Sequence, residues 1–226
     1  MKRKWGIPVY FLCLTLAFFA RKPLLQAMTV MSDRALNGTY IVIDAGHGGN
    51  DPGARVNGQD EDEINLDVSK KLAVILEKAG ATVELIRSDD YDLADEDAKN
   101  IKRSDMEHRA KVINQDHVTL FVSIHCNTSA DQRCSGSQVY YRKKDENSRK
   151  LADQIQHRLK DITESNYIPA SADFYLLNET ETLGVLVEAG FMTNSKDFNK
   201  LQDENYRANL AYAIYLGIHD FLEILL

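Results

Sequence analysis

The order of apolar runs between residues 39 and 86 constrains the fold more than any other feature of the chain. Thr39-Tyr40-Ile41-Val42-Ile43 is a β-branched run bounded by Asn37-Gly38 and by a glycine-rich stretch, which predicts a buried strand. Ile64, Val68, Leu72, Ile75, Leu76 and Ala79 then recur on one face of a helix that Gly80 stops. Thr82-Val83-Glu84-Leu85-Ile86 reads as the next strand. Strand, helix, strand implies a right-handed crossover and a parallel pair.

The alternation continues. Residues 91–100 are rich in Asp and Ala without an apolar face and read as a surface loop. A helix over 105–115, a buried strand over 118–124, a short strand over 137–141 and a polar helix over 147–164 follow. Strands are expected at 174–177 and 184–187, and Ala211, Ile214, Tyr215, Ile218, Phe221, Leu222 and Leu225 line one face of a last helix. The expected fold is α/β: a three-layer sandwich with a mixed, mostly parallel sheet of about six strands flanked by helices. At 226 residues the chain suits one buried domain.

The N-terminus is different. Lys2, Arg3 and Lys4 precede an apolar run from Trp5 to Ala20, closed by Arg21 and Lys22, and residues 1–30 read as a signal peptide or membrane anchor and linker. The run is short for a spanning helix and is weakened by Gly6 and Pro8, which favours a signal peptide. No clear small-x-small cleavage site follows, so an uncleaved anchor stays open. Phe11-Leu12 before Cys13 lack the small residues of a lipoprotein signal. The leader's five basic residues face no acidic one, so the formal charge of −7 becomes −12 without it. An acidic domain with no basic cluster beyond short runs such as Arg142-Lys143-Lys144 is unsuited to nucleic acid. Cys126 and Cys134, eight apart, can form one disulfide in an exported protein or stay free thiols.

Three of the apolar strands end in residues able to bind metal or move protons: His47, His125 and Glu188. Ligands in open α/β sheets gather at the carboxyl ends of strands, so these residues are expected to face one crevice. Glycines on both sides of His47 let backbone crowd around something bound, and GHGGNDPG lacks the lysine and spacing of a phosphate loop. A carboxylate such as Glu188 closing Val185-Leu186-Val187 is costly unless paired or metal-linked. A fourth candidate comes from the acidic run Asp60, Glu61, Asp62, Glu63, among which sequence physics does not choose. Two imidazoles and a carboxylate are a common ligand set for catalytic zinc, and a further carboxylate then serves as base. His108, His117, His157 and His219 read as surface or structural residues, and Glu179 and Glu181 as a solvated loop.

The ordered motifs IDAGHGGNDPGA, ExEINL, FVSIHCN and LVEAGFMTN resemble those of the zinc-dependent N-acetylmuramoyl-L-alanine amidases, bacterial cell-wall hydrolases, over residues 39–223. The resemblance implies a catalytic domain at 38–226, zinc (Zn2+) held by His47, Glu61 and His125, and Glu188 as catalytic acid/base. Asp62 follows Glu61 where the family usually has lysine. Asp44, Asn65 and Asn127 are candidates for orienting the ligands or touching substrate, and Cys126, on the strand after His125, is expected to point to the opposite face. Peptidoglycan is the implied substrate, the location exported, at the membrane, the cell wall or the spore cortex. Within the family the chain looks most like the germination-specific amidases of the spore cortex, where removal of the peptide from muramic acid precedes muramic δ-lactam formation. A site built from loops also leaves room for a protein partner that completes or occludes it.

Overall fold

The computed structural model describes residues 35–225, and the leader expected at residues 1–30 lies outside them. In chain order the elements are β1 (Tyr40–Ala45), β2 (Arg55–Val56), β3 (Gln59–Asp60), α1 (Glu61–Lys78), β4 (Thr82–Leu85), α2 (Ile101–Ile113) and β5 (Leu120–Asn127). There follow β6 (Gln138–Tyr141), α3 (Glu146–Thr163), β7 (Ala170–Ser171), α4 (Tyr175–Glu179), β8 (Gly184–Phe191), α5 (Ser195–Gln202) and α6 (Glu204–Leu225). Six strands form one sheet in the order β4-β1-β5-β8-β6-β7, and β2 and β3 make a separate hairpin. β4, β1, β5 and β8 run parallel, while β6 is antiparallel to β8 and parallel to β7. The three-layer α/β reading therefore holds. Among the described residues no helix is long and apolar enough to cross a membrane.

Strand periodicity sorts side chains onto two unlike faces. Ile41, Ile43, Leu120, Val122, Ile124, Val185 and Val187 point to a large core shared with α1, α3 and α6. The alternate residues Val42, Phe121 and Leu186 meet a smaller cluster completed by Ala110 and Ile113 of α2 and Leu176 and Leu177 of α4. This second layer is short, and it leaves the carboxyl ends of the strands open on that face.

Several sequence expectations shift. Residues 174–177 are not a strand: Phe174 precedes the short helix α4, because a four-residue apolar run carries no period that distinguishes strand from helix. α2 begins four residues earlier than its apolar face suggests, since the Asn100 side chain accepts from Arg103 N and caps it. α5 escaped notice although Asn194 caps it by accepting from Lys196 N and Asp197 N. The β2–β3 hairpin turns on Asn57-Gly58, both at positive φ (51° and 84°), a signal legible in the sequence as Asn-Gly. Finally, His125 and Glu188 do not end their strands. Pairing resumes at Asn127 with Phe191 after an irregularity beyond the His125–Glu188 pair.

Candidate metal centre

The chain crosses from β1 through α1 to β4 on one side, then returns through α2 to β5 on the other. The gap between β1 and β5 is thus the point where strand order reverses, and a crevice opens there at the carboxyl ends. His47 sits two residues past β1 and His125 lies near the end of β5. Glu188 is the register partner of His125 on β8, so both side chains stand on the open face. Cys126, one residue on, is buried in the opposite core as expected, and Cys126 and Cys134 are free.

Glu61, the first residue of α1, joins the two histidines. One ligand atom from each of His47, Glu61 and His125 lies within 4.8 Å of the others. Glu61 Oε1 is 3.3 Å from His47 Nε2 and 3.2 Å from His125 Nδ1. The same oxygen accepts from Cys126 N at 3.0 Å and Asn65 Nδ2 at 3.2 Å, and Oε2 accepts from Ala54 N at 3.0 Å. Burial opposes a charge on Glu61, yet the two imidazoles hold its carboxyl well below the usual range. Burial likewise disfavours a charged His47, but the hydrogen bonds and negative charge of Glu61 and Asp51 outweigh it and lift the imidazole to about 9. Of the neighbouring acids, Asp60 pairs with Arg55 and Glu63 accepts from Gln59. Asp62 is buried, and its Oδ1 has no hydrogen-bond partner among the described residues.

The turn that presents His47 is strained. His47 itself adopts φ +63°, a left-handed conformation that costs a non-glycine residue on the order of 1 kcal/mol or more. The glycines beside it provide space: a Cβ on Gly46 would fall 2.2 to 2.6 Å from three ring atoms of His125, and one on Gly53 2.7 Å from Glu61 Oε2. Two buried arginines hold the turn's carbonyls. Arg109 donates to Ala45 O (2.9 Å) and His47 O (2.7 Å), and Arg87 to Ala45 O (2.8 Å) and Gly46 O (3.0 Å).

The outer contacts differ in part from expectation. Asn65 donates to Glu61 Oε1 and to Gly46 O, a position suited to orienting Glu61. Asp44 does not reach an imidazole, because Arg109 Nη1 (2.7 Å) and Ser123 Oγ (2.5 Å) occupy its two oxygens. Its place beside His47 is taken by Asp51, whose Oδ2 is 3.0 Å from Nδ1. Asn127 lines the cleft, with its side-chain oxygen turned to Thr128 N. Asp51, Arg87 and Arg109 had no signal of their own in the sequence beyond the Asp-Pro-Gly turn. The other histidines stay apart: His108 binds Ser104 O, His117 packs edge-on against Tyr40, His157 is exposed, and His219 faces Asp220.

Glu188 is 8% exposed and its Oε2 has no hydrogen-bond partner among the described residues. Burial pushes its carboxyl up to about 7, against the pull of the two histidines. A cleft of about 610 Å³ opens onto Glu188, His47, Glu61 and His125, walled by Met106, Phe174, Tyr175 and Leu186 and rimmed by Lys102 and Arg103. A buried carboxylate poised near neutrality beside a compact His-Glu-His set is the arrangement of a hydrolytic site.

The sequence profile of the N-acetylmuramoyl-L-alanine amidases matches residues 41–220. The chain belongs to this family. It is accordingly a hydrolase, an N-acetylmuramoyl-L-alanine amidase. The amidase is similar to the germination-specific N-acetylmuramoyl-L-alanine amidase of Bacillus subtilis (strain 168), at 34% identity over 188 residues, 81% of this chain and 79% of that one. An uncharacterized protein of the same organism, YqiI, is 36% identical over 191 residues, 83% of this chain and 87% of that one. Among solved structures, the CwlD amidase from Clostridioides difficile in complex with the GerS lipoprotein superposes with a TM-score of 0.79 at 34% identity, covering 82% of this chain and 99% of that one.

Proposed function

We propose that the protein is a zinc-dependent amidase that cuts the bond between N-acetylmuramic acid and L-alanine in peptidoglycan, with His47, Glu61 and His125 as metal ligands and Glu188 as general base and acid. The observation that carries this is the convergence of two imidazoles and one buried carboxylate within 4.8 Å of each other, beside an orphaned carboxylate oxygen of Glu188. That donor set fits zinc, which two imidazole nitrogens and one carboxylate oxygen would hold while leaving it open to water or substrate. It is poor for calcium or magnesium, which take oxygen ligands.

Zinc in this site supplies Lewis acidity that polarises the scissile carbonyl and acidifies a water. The chain's own residues do the rest. Asp51 accepts from His47 Nδ1 and so leaves Nε2 with its lone pair toward the site. Asn65, Cys126 N and Ala54 N fix the Glu61 carboxylate. Glu188, with a carboxyl near 7, takes the proton of the attacking water and passes it to the departing alanine nitrogen. The apolar wall of Met106, Phe174 and Leu186 excludes bulk water from this transfer.

The narrower reading is action on the spore cortex, where peptide removal prepares muramic acid for δ-lactam formation. It is supported by the likeness to the germination-specific relative over most of both chains. The protein then works outside the cytoplasm, brought there by its N-terminal segment, and a protein partner at the site is in keeping with the complex recorded for the Clostridioides difficile amidase. Incubating the purified domain with intact peptidoglycan tests the reaction: zinc-dependent release of peptides with free N-terminal L-alanine is expected, while release of a C-terminal residue marks a peptidase. Spores of a deletion strain with normal muramic δ-lactam would instead assign the enzyme to vegetative wall turnover.

A further inference from the structure

Arg87 is fully buried, and among the described residues it forms no ion pair with a carboxylate. Its partners are four backbone carbonyls: Ala45 O at 2.8 Å from Nε, Asp89 O at 3.2 Å from Nη1, and Gly46 O and Asp62 O at 3.0 and 2.8 Å from Nη2. A buried cation with no carboxylate in direct contact is costly, and an apolar side chain of similar volume would fill the space at less expense. Burial and the nearby Arg109 act against its charge and outweigh the negative charges of Asp62, Asp44 and Asp90. What the guanidinium offers in return is geometric: a rigid planar fork that holds several acceptors at fixed separation.

Two of those acceptors stand next to residues of the metal centre. Gly46 precedes His47 in the strained turn after β1, and Asp62 follows Glu61 in the first turn of α1. A single nitrogen, Nη2, therefore ties together the two segments that carry His47 and Glu61. In sequence these segments are separated by a glycine-rich loop and a two-strand hairpin, and the loop meets the helix start through Glu61 N to Ala54 O (2.9 Å) and Asp62 N to Pro52 O (3.3 Å). Asn65 reinforces the same junction by donating to both Gly46 O and Glu61 Oε1.

We propose that Arg87 is a positioning residue for the metal centre, setting the spacing between the His47 turn and the helix start that carries Glu61. The proposal rests on the reading of His47 and Glu61 as zinc ligands. Lysine at this position keeps the charge but presents its donors from one point, so it cannot span Gly46 O and Asp62 O while also reaching Ala45 O and Asp89 O.

The test compares R87K with wild type and with Leu159→Ala, a core change in α3 remote from the site that lowers stability without touching the junction. Zinc affinity is measured by chelator competition well below each protein's melting temperature, and the cobalt-substituted forms are compared by absorption spectroscopy. A 10- to 100-fold weaker zinc affinity in R87K, the range for loss of an outer partner of a ligand, with an altered cobalt spectrum and with L159A near wild type, is expected. Equal affinity and spectrum in R87K and wild type, or an equal loss in L159A, would overturn the proposal. Wild type that takes up no zinc would instead sink the ligand assignment itself. Should R87K not fold, R87Q, which removes the buried charge and keeps a single donor nitrogen, is read by the same criteria.

Discussion

Asp51 Oδ2 lies 3.0 Å from His47 Nδ1, while the opposite ring nitrogen, Nε2, lies 3.3 Å from Glu61 Oε1. His47 is thus held between two carboxylates with different tasks: one inside the cluster and one behind the ring. Lys102 Nζ, 3.4 Å from the same Asp51 oxygen, partly offsets the outer charge. An outer carboxylate fixes the tautomer and raises ligand basicity, an effect worth about 10- to 100-fold in metal affinity. D51N is expected to fold normally, since Asp51 is 39% exposed, and to bind zinc weaker by about that factor. Chelator competition on the pure protein checks it, and unchanged affinity would remove Asp51 from the centre.

Zinc uptake should depend on pH through the same residue. In the metal-free protein His47 is raised to about 9, so zinc must displace a proton at neutral pH. Apparent affinity is expected to climb up to about tenfold per pH unit below 9 and to flatten above it. The metal-free fold moves the other way. A histidine raised above its unfolded value contributes stability that is fully present below about 6.5 and is lost as pH rises through 9. D51N, with one fewer anion beside the ring, should reach the affinity plateau at lower pH. Binding curves between pH 6 and 10 that do not move with pH would contradict the pairing.

Glu188 illustrates a site residue that costs stability. Its carboxyl is raised from 4.5 to about 7, so the metal-free fold prefers it protonated, and native stability falls as pH rises from about 4.5, where the unfolded chain ionises, to about 7, with no further loss above that. E188Q keeps the shape and removes the titration. It should abolish most of the peptidoglycan hydrolysis while raising the melting temperature of the metal-free protein at pH 8 or above. The stability gain should fade below about pH 5, where the carboxyl is protonated in both folded and unfolded states, and should approach about 3 kcal/mol above pH 7. Thermal melts of chelated wild type and E188Q across pH 4.5–9 measure this difference, and a gain that grows toward acid would refute the sign.

How much of this was legible beforehand follows from which interactions are local. The alternation in Leu120–Asn127 placed His125 on one face and Cys126 on the other, because a period of two is written into consecutive residues. The run Val185-Leu186-Val187-Glu188 likewise put a carboxylate at the open face without reference to anything distant. The choice of Glu61 within an acidic run needed the family resemblance, since Asp60, Asp62 and Glu63 share its chemistry and differ only in where α1 begins. Arg87 and Arg109 carry no such local signal: the carbonyls of the His47 turn that they hold lie 41 to 64 residues away in sequence, and an arginine on a strand end or helix reads as solvated until the fold closes over it. Asp44, a candidate for orienting an imidazole or touching substrate, meets a distant arginine for the same reason. Arg109, which donates to it, arrives from α2.

The last prediction returns to the glycine before His47. Gly46 N donates to Ile124 O at 2.9 Å, which draws the turn tight against β5, and the imidazole of His125 fills the space where a side chain would sit. A Cβ there would lie 2.2 Å from Cε1, 2.3 Å from Nε2 and 2.6 Å from Nδ1 of His125, well inside van der Waals contact. Gly46 is not at positive φ, so alanine meets no backbone penalty and the clash falls on the ring alone. The imidazole can swing toward the open cleft, because His125 is 20% exposed, and the core on the other face is untouched. G46A is therefore expected to fold with a modest loss of melting temperature but to lose tight zinc binding and with it hydrolysis. Circular dichroism and metal analysis on the same sample separate the two effects. A folded G46A protein that carries stoichiometric zinc would exclude His125 as a ligand in the geometry described.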